Sequence, residues 1–130
     1  MSGLSASGTS FATTMLSLRI DQFEFDDPCS EEAVEIDVSR QSNFPRSDVR
    51  AFVGATVGAR AAATLTEPKP FHLVHDRRQT SEYVKRFANI DIPLHADWLT
   101  YQLETACPDQ THLAICAPGI FIRYHWSTSA

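Results

Sequence analysis

Apolar and polar residues alternate most cleanly at Val34, Ile36 and Val38, whose neighbours Glu35, Asp37 and Ser39 are polar. Alternation with period two puts one set of side chains on each face of a strand, so this segment predicts a half-buried strand. Upstream, Met15, Leu16, Leu18 and Ile20, followed by Phe23 and Phe25, predict one or two short strands that Asp26-Asp27-Pro28 closes. Residues 41–48 carry Ser, Asn, Pro and Arg, which is turn chemistry. Val49, Ala51, Val53, Ala55 and Val57 then alternate with Arg50, Phe52, Gly54 and Thr56, predicting a strand that returns antiparallel to the first. Residues 59–66 fit either a continuation of that strand or a helical turn, because Ala favours helix and Thr does not. Glu67-Pro68-Lys69-Pro70 predicts a loop, since neither proline can donate to a ladder.

The pattern resumes from Tyr83 to Leu94 as a longer strand. Val84, Ala88, Ile90, Ile92 and Leu94 fall on one side, interrupted by Arg86; Tyr83, Lys85, Phe87, Asn89 and Asp91 fall on the other. Asp97 offers a helix start, and Leu99, Leu103 and Ala106 follow at helical spacing until Cys107-Pro108. Residues 110–117 are open between a second helix and another element. After Pro118-Gly119, Ile120, Ile122, Tyr124 and Trp126 predict a final strand. Residues 1–10 are small and polar and predict a flexible or irregular arm. These elements make one α+β domain over residues 1–130: an antiparallel sheet of about five to seven strands with one or two short helices near the C-terminus.

Composition bears on the class of partner. A chain of 130 residues with 43% hydrophobic content is long and apolar enough for one core, and no apolar run approaches a membrane span or signal peptide, so a soluble, unprocessed protein is expected. Cys29, Cys107 and Cys116 match no disulfide or metal spacing and are expected as thiols in a reducing compartment. The net charge of −5 argues against a polyanionic partner, but its distribution argues differently. Asp21, Glu24, Asp26, Asp27, Glu31, Glu32, Glu35 and Asp37 hold half of the 16 acids, whereas residues 40–86 carry nine Lys and Arg against four acids. A locally basic middle segment suggests an anionic partner met by one face.

No catalytic signature stands out. His72 and His75 beside Asp76 form the nearest thing to a metal cluster, but the surrounding prolines and bases favour a loop and no third ligand is adjacent. There is no nucleophile elbow, and the five glycines are dispersed rather than gathered into a phosphate-cradling loop. No cofactor, metal or enzymatic activity is therefore expected. Read as strands, the segment with Tyr83, Lys85, Phe87 and Asn89 and the segment with Arg50, Phe52 and Thr56 present aromatic, cationic and amide groups together. Such faces bind RNA by stacking bases and pairing phosphates.

The order of these pieces resembles the coat proteins of single-stranded RNA bacteriophages. The resemblance is carried by Val-Glu-Ile-Asp-Val-Ser-Arg-Gln-Ser at 34–42, its partner at 49–57, the Pro-rich loop at 67–70, and Tyr83–Leu94 ending in Ile92-Pro93-Leu94; it covers residues 34–107. It implies a capsid subunit that pairs sheets edge to edge in a homodimer, packs helices across the partner and closes into an icosahedral shell. The virion, assembled in the host cytoplasm, is its expected place. The inner sheet face would grip an RNA hairpin or genomic RNA, with Arg40, Arg50, Thr56, Tyr83 and Lys85 as the RNA-facing candidates, and the Pro-rich loop would join dimers around symmetry axes. The chain departs from the family in three ways. Glu35 and Asp37 alternate onto the face that should meet phosphates, where they repel RNA unless paired with Arg. The region before residue 34 is short for the family's opening hairpin and extra strand, and the chain ends in a strand, Ile120 to Trp126, which could fill the position that a shortened hairpin leaves vacant. The competing readings are a monomeric α+β adaptor that binds protein, and a small metal-dependent enzyme using His72 and His75.

Overall fold

The computed structural model describes residues 15–20, 32–74, 76–103 and 109–128. Six antiparallel strands form one sheet: β1 (Met15–Ile20), β2 (Glu32–Arg40), β3 (Lys69–Pro70), β4 (Leu99–Gln102), β5 (Gln110–Ala117) and β6 (Ile120–Thr128). Their order across the sheet is β1-β2-β6-β5-β4-β3. The expected α+β class, with its antiparallel sheet, is what the chain forms. Three helices accompany it: α1 (Val49–Thr56), α2 (Ala59–Ala63) and α3 (Arg77–Tyr83), the last running on as a wide π turn over Val84–Ala88. No described helix is long and apolar enough to cross a membrane.

The expected strands at 15–20, 34–38 and 120–126 are present as β1, β2 and β6. Pro118-Gly119 makes the tight β5–β6 turn, with Gly119 at the positive φ of 80° that glycine adopts without a steric cost. Gln41 fastens this turn. Its side-chain amide donates to the carbonyls of Ala117 at 2.7 Å and Ile120 at 3.1 Å, while its backbone N–H donates to Gly119.

Three sequence-based expectations are corrected. Residues 49–57 form α1 rather than a strand. Asp48 caps that helix by accepting from the Arg50 N–H at 2.9 Å, and Val49, Phe52 and Val53 share a helical stripe in which Phe52, assigned to the polar side of a strand, is fully buried. Residues 83–94 are not a strand. Thr80, Val84 and Ala88 recur at helical spacing, and Asn89, in the left-handed conformation at φ 59°, ends the helix. Arg86, which interrupted the proposed alternation, is an exposed helical position. The segment expected as a helix from Asp97 contains β4, and its remainder at 104–108 lies outside the described residues. The open segments resolve as α2 at 59–63 and β5 at 110–117. The Pro-rich segment contributes Lys69–Pro70 as the terminal strand, an edge place where a proline is tolerated. The proposed element at Phe23 and Phe25 and the arm at 1–10 lie outside the described residues.

Helices cover both faces of the sheet. On one face Val34, Ile36, Leu113, Ile115, Ile122 and Tyr124 form a buried cluster with Phe71, Val84 and Ile92 from the α3 side. On the other, Phe52 and Val53 of α1 pack on Ala114 and Phe121. Phe52 stacks on Phe121 with centroids 5.2 Å apart, and Phe44 closes the group edge-on to Phe52 at 5.9 Å. Coverage on both sides explains why β5 reads as a near-continuous apolar run instead of an alternating one.

Candidate assembly edge and ionic centre

The five residues expected to face RNA do not share a surface. Arg40 is exposed at the end of β2, and Arg50 is exposed in the first turn of α1. Thr56, in the last turn of α1, is half-buried and its hydroxyl donates to the Phe52 carbonyl at 2.9 Å. Tyr83 and Lys85 belong to the α3 layer on the opposite side of the sheet. There the Tyr83 hydroxyl donates to Glu32 at 2.7 Å, and the Lys85 ammonium pairs with Asp91 at 3.3 Å. Burial, then the hydrogen bond and charge of Glu32, push the Tyr83 phenol up to about 12. The sheet therefore separates Arg50 and Thr56 from Tyr83 and Lys85. Their expected common face rested on strands at 49–57 and 83–94; the chain folds the first as α1 and the start of the second, Tyr83–Ala88, as the end of α3 and its π turn.

Of the expected histidine pair, the described residues include His72 alone. His72 lies in a 3-10 turn at 71–73 with its Nδ1 3.8 Å from Asp97, and His75 lies outside the described residues. No three His, Cys, Asp or Glu side chains converge on a metal position among the described residues. Cys116 is a half-buried free thiol that burial pushes up to about 11, too high for a nucleophile near neutral pH.

A different cluster occupies the face of the sheet beside α1. The antiparallel register sets Asp37 of β2 and Ala114 of β5 on either side of Arg123 of β6, with Glu35 and His112 flanking His125 one pair further along. The Arg123 Nε donates to Asp37 at 2.6 Å, its Nη2 to Glu35 at 3.1 Å and its Nη1 to His112 Nε2 at 3.0 Å. A guanidinium has only donors, so the His112 ring accepts through Nε2 and is neutral, with its proton on Nδ1. His112 stacks on His125 with centroids 4.2 Å apart, and His125 Nε2 donates to Gln110 at 3.2 Å. Strand β1 completes the cluster: the Ser17 hydroxyl donates to Asp37 at 2.6 Å and Arg19 to Glu35 at 3.2 Å. Burial raises the Glu35 carboxyl, but the hydrogen bond and charge of Arg123, with the charges of His125 and Arg19, outweigh it and hold the group below its ordinary value.

Chemically this centre binds itself. Each guanidinium nitrogen is already engaged by a side chain of the same sheet, and the one nearby hydroxyl, Ser17, rests on a carboxylate rather than on a base. The arrangement is a lock between β1, β2, β5 and β6, not a catalytic constellation. Glu35 and Asp37 were expected to repel RNA unless an arginine met them, and Arg123 meets both. Alternation in β6 already assigned Arg123 to the face opposite Ile122 and Tyr124; the missing information was that β2 pairs with β6.

The remaining feature is β1, the last strand of the sheet among the described residues. Leu16, Leu18 and Ile20 continue the apolar face and Ser17 and Arg19 the ionic one, with Leu16 43% exposed. No family model, no curated protein and no solved structure matches the chain.

Proposed function

We propose that this chain is a non-catalytic, self-assembling structural subunit of the coat type, in which two copies join β1 to β1 and the dimers build a larger particle. The observation that supports this reading is β1 itself: a terminal strand of six residues, without proline, whose outer edge leaves a half-covered apolar row beside it. An edge of this kind templates pairing with another strand. The pairing is self-complementary. A two-fold axis through Leu18 sets Leu18 against its own copy and Leu16 against Ile20, which joins the apolar rows of both sheets. It sets Ser17 against Arg19, so that an arginine of each copy approaches the carboxylates of the other. Six residues alone fall short of the roughly 1,200–2,000 Å² of a stable two-body interface. The stable product is therefore a particle rather than an isolated dimer.

RNA is the secondary partner in this reading, and its place is not the sheet face. Arg40, Arg46, Arg50 and Arg60 are all exposed along the segment that ends β2 and builds α1 and α2, where Asp48, engaged as the α1 cap, is the one acid. That helical layer carries the positive charge a polyanion needs.

Size-exclusion chromatography with light scattering and absorbance at 260 nm tests both parts. Large particles containing RNA are expected, with RNA lost at high salt and in a variant carrying R46Q, R50Q and R60Q. Leu16→Glu, at the 43% exposed position of the row, should leave the fold intact and abolish the particles. A monomer of 14.5 kDa free of nucleic acid would overturn the proposal and leave a protein-binding adaptor as the better reading.

A further inference from the structure

The face of the sheet under α3 also holds a cavity, at the end where β3 stops after two residues. It measures about 240 Å³ and lies between the 66–74 segment and the floor formed by β4 and β5. This is below the roughly 300–1,000 Å³ of pockets that take drug-sized molecules, so it suits a ligand of only a few heavy atoms. Its chemistry is divided. Leu73, Val74 and Leu113 make an apolar wall, of which Leu73 is 66% exposed. Glu67 and Lys69, of opposite charge, stand at the rim on either side of Pro68. The Thr100 hydroxyl donates to the Lys69 carbonyl at 3.0 Å and fixes the backbone of that rim. From the floor, Thr111 is 8% exposed and offers a hydroxyl to the cavity.

An apolar wall with one cation and one anion at its mouth matches a small molecule of the same pattern. We propose that the cavity binds an aliphatic α-amino acid as its zwitterion. The branched side chain lies on Leu73, Val74 and Leu113; the carboxylate faces the Lys69 ammonium; the α-ammonium faces the Glu67 carboxylate, with the Thr111 hydroxyl as a further acceptor. A ligand of so few non-hydrogen atoms, held at an open mouth, is expected to bind with a Kd of about 1 mM. The site is thus suited to sensing an abundant metabolite rather than retaining a scarce one.

Titration of the 15N-labelled full chain with L-leucine, followed by amide chemical shifts, tests this. Saturable shifts centred on Thr100, Thr111 and Leu113 are expected at millimolar leucine. Leucinamide, which lacks the carboxylate, and 4-methylpentanoate, which lacks the ammonium, should each bind about tenfold more weakly. Lys69→Gln and Glu67→Gln, at exposed positions that leave the spectrum otherwise unchanged, should each weaken leucine by a similar factor. Absence of shifts at these residues up to about 20 mM leucine, where a site of Kd ~1 mM is some 95% filled, overturns the proposal. Equal binding of either singly charged analogue overturns it as well.

Discussion

Successive residues of β6 enter two different environments. Ile122, Tyr124 and Trp126 join the apolar cluster under α3, whereas Arg123 and His125, one residue out of phase, join the ionic centre, and Phe121 packs on Phe52 beside it. The two environments fail differently. An apolar cluster loses stability in proportion to the area and volume removed, because each side chain contributes its own dispersion and burial. An ionic cluster out of water is close to all-or-none, since removing one member leaves the desolvation cost of the others uncompensated. One side of the sheet is therefore graded in its response to substitution and the other is not.

The largest effect expected from breaking this contrast is at Arg123. Arg123→Leu strands Asp37, which is 8% exposed, and removes the main partner of Glu35; a loss of about 3–5 kcal/mol in urea unfolding is expected. Adding Asp37→Leu and Glu35→Gln should restore most of it, because the uncharged replacements no longer need a cation. A triple variant as unstable as the single one would show that β2 and β6 are held by packing alone. On the graded side, Phe71→Ala should cost a similar 3–5 kcal/mol, but with no rescue by a second substitution and no dependence on pH.

Smaller effects separate the faces by pH. Tyr83 spans to Glu32, which also accepts from the Trp126 indole at 2.8 Å, so Tyr83→Phe removes one hydrogen bond of a shared acceptor and should cost about 1 kcal/mol. The phenol is raised in the folded chain, so its contribution is fully present below pH 10 and is lost as pH rises through about 12; the variant should lack that alkaline loss. Glu35 has the opposite sign. Its folded value is lowered, so its contribution is present above the ordinary 4.5 and is lost as pH falls through the lowered value. Its side chain is 35% exposed, so solvent screening limits the effect to below about 1 kcal/mol. Urea midpoints of Glu35→Gln and the parent chain should converge as pH falls below 4, and parallel curves would remove Glu35 from the acid transition.

Legibility in the sequence followed the same division. Where one face of a strand is apolar and the other polar, as in β2 and β6, alternation was sufficient to place the strand and its faces. At 49–57 it misled, because Val and Ala at every second position satisfy a strand template while Asp48, Phe52 and Val53 satisfy a helical one. The cap at Asp48 and the out-of-phase Phe52 were the discriminating signals. At 83–94, Arg86 on the apolar side and Asn89 were the corresponding signals. Strand β4 is four residues whose ladder partner, β5, supplies the pairing that local helical spacing could not foresee. The five RNA-facing candidates do not share one surface for the same reason, since faces were assigned to segments that are not strands. The ionic centre was half legible: the acids of β2 and the arginine of β6 each stood on a recognisable face, and strand order, a non-local fact, decided that they meet.

The smallest effect is the most discriminating for the apolar side. Tyr124 is fully buried, and so is Thr80 of α3; neither hydroxyl has a hydrogen-bond partner among the described residues. Burial, then the charges of Tyr83, Glu32 and Asp76, raise the Tyr124 phenol and outweigh a lowering contact with the Thr80 hydroxyl, whose geometry falls short of a hydrogen bond; the surroundings are hostile to a charged oxygen. Removing an unpaired hydroxyl returns no lost bond and relieves its desolvation, so Tyr124→Phe should be neutral or stabilising by up to about 1 kcal/mol. Thr80→Val, of the same shape, should behave likewise, and the two changes should add. If instead each costs more than about 1 kcal/mol and the pair costs no more than either alone, the two hydroxyls share a bond. The face under α3 would then contain a polar lock of its own, and the graded response assigned to it would hold only for its aliphatic members.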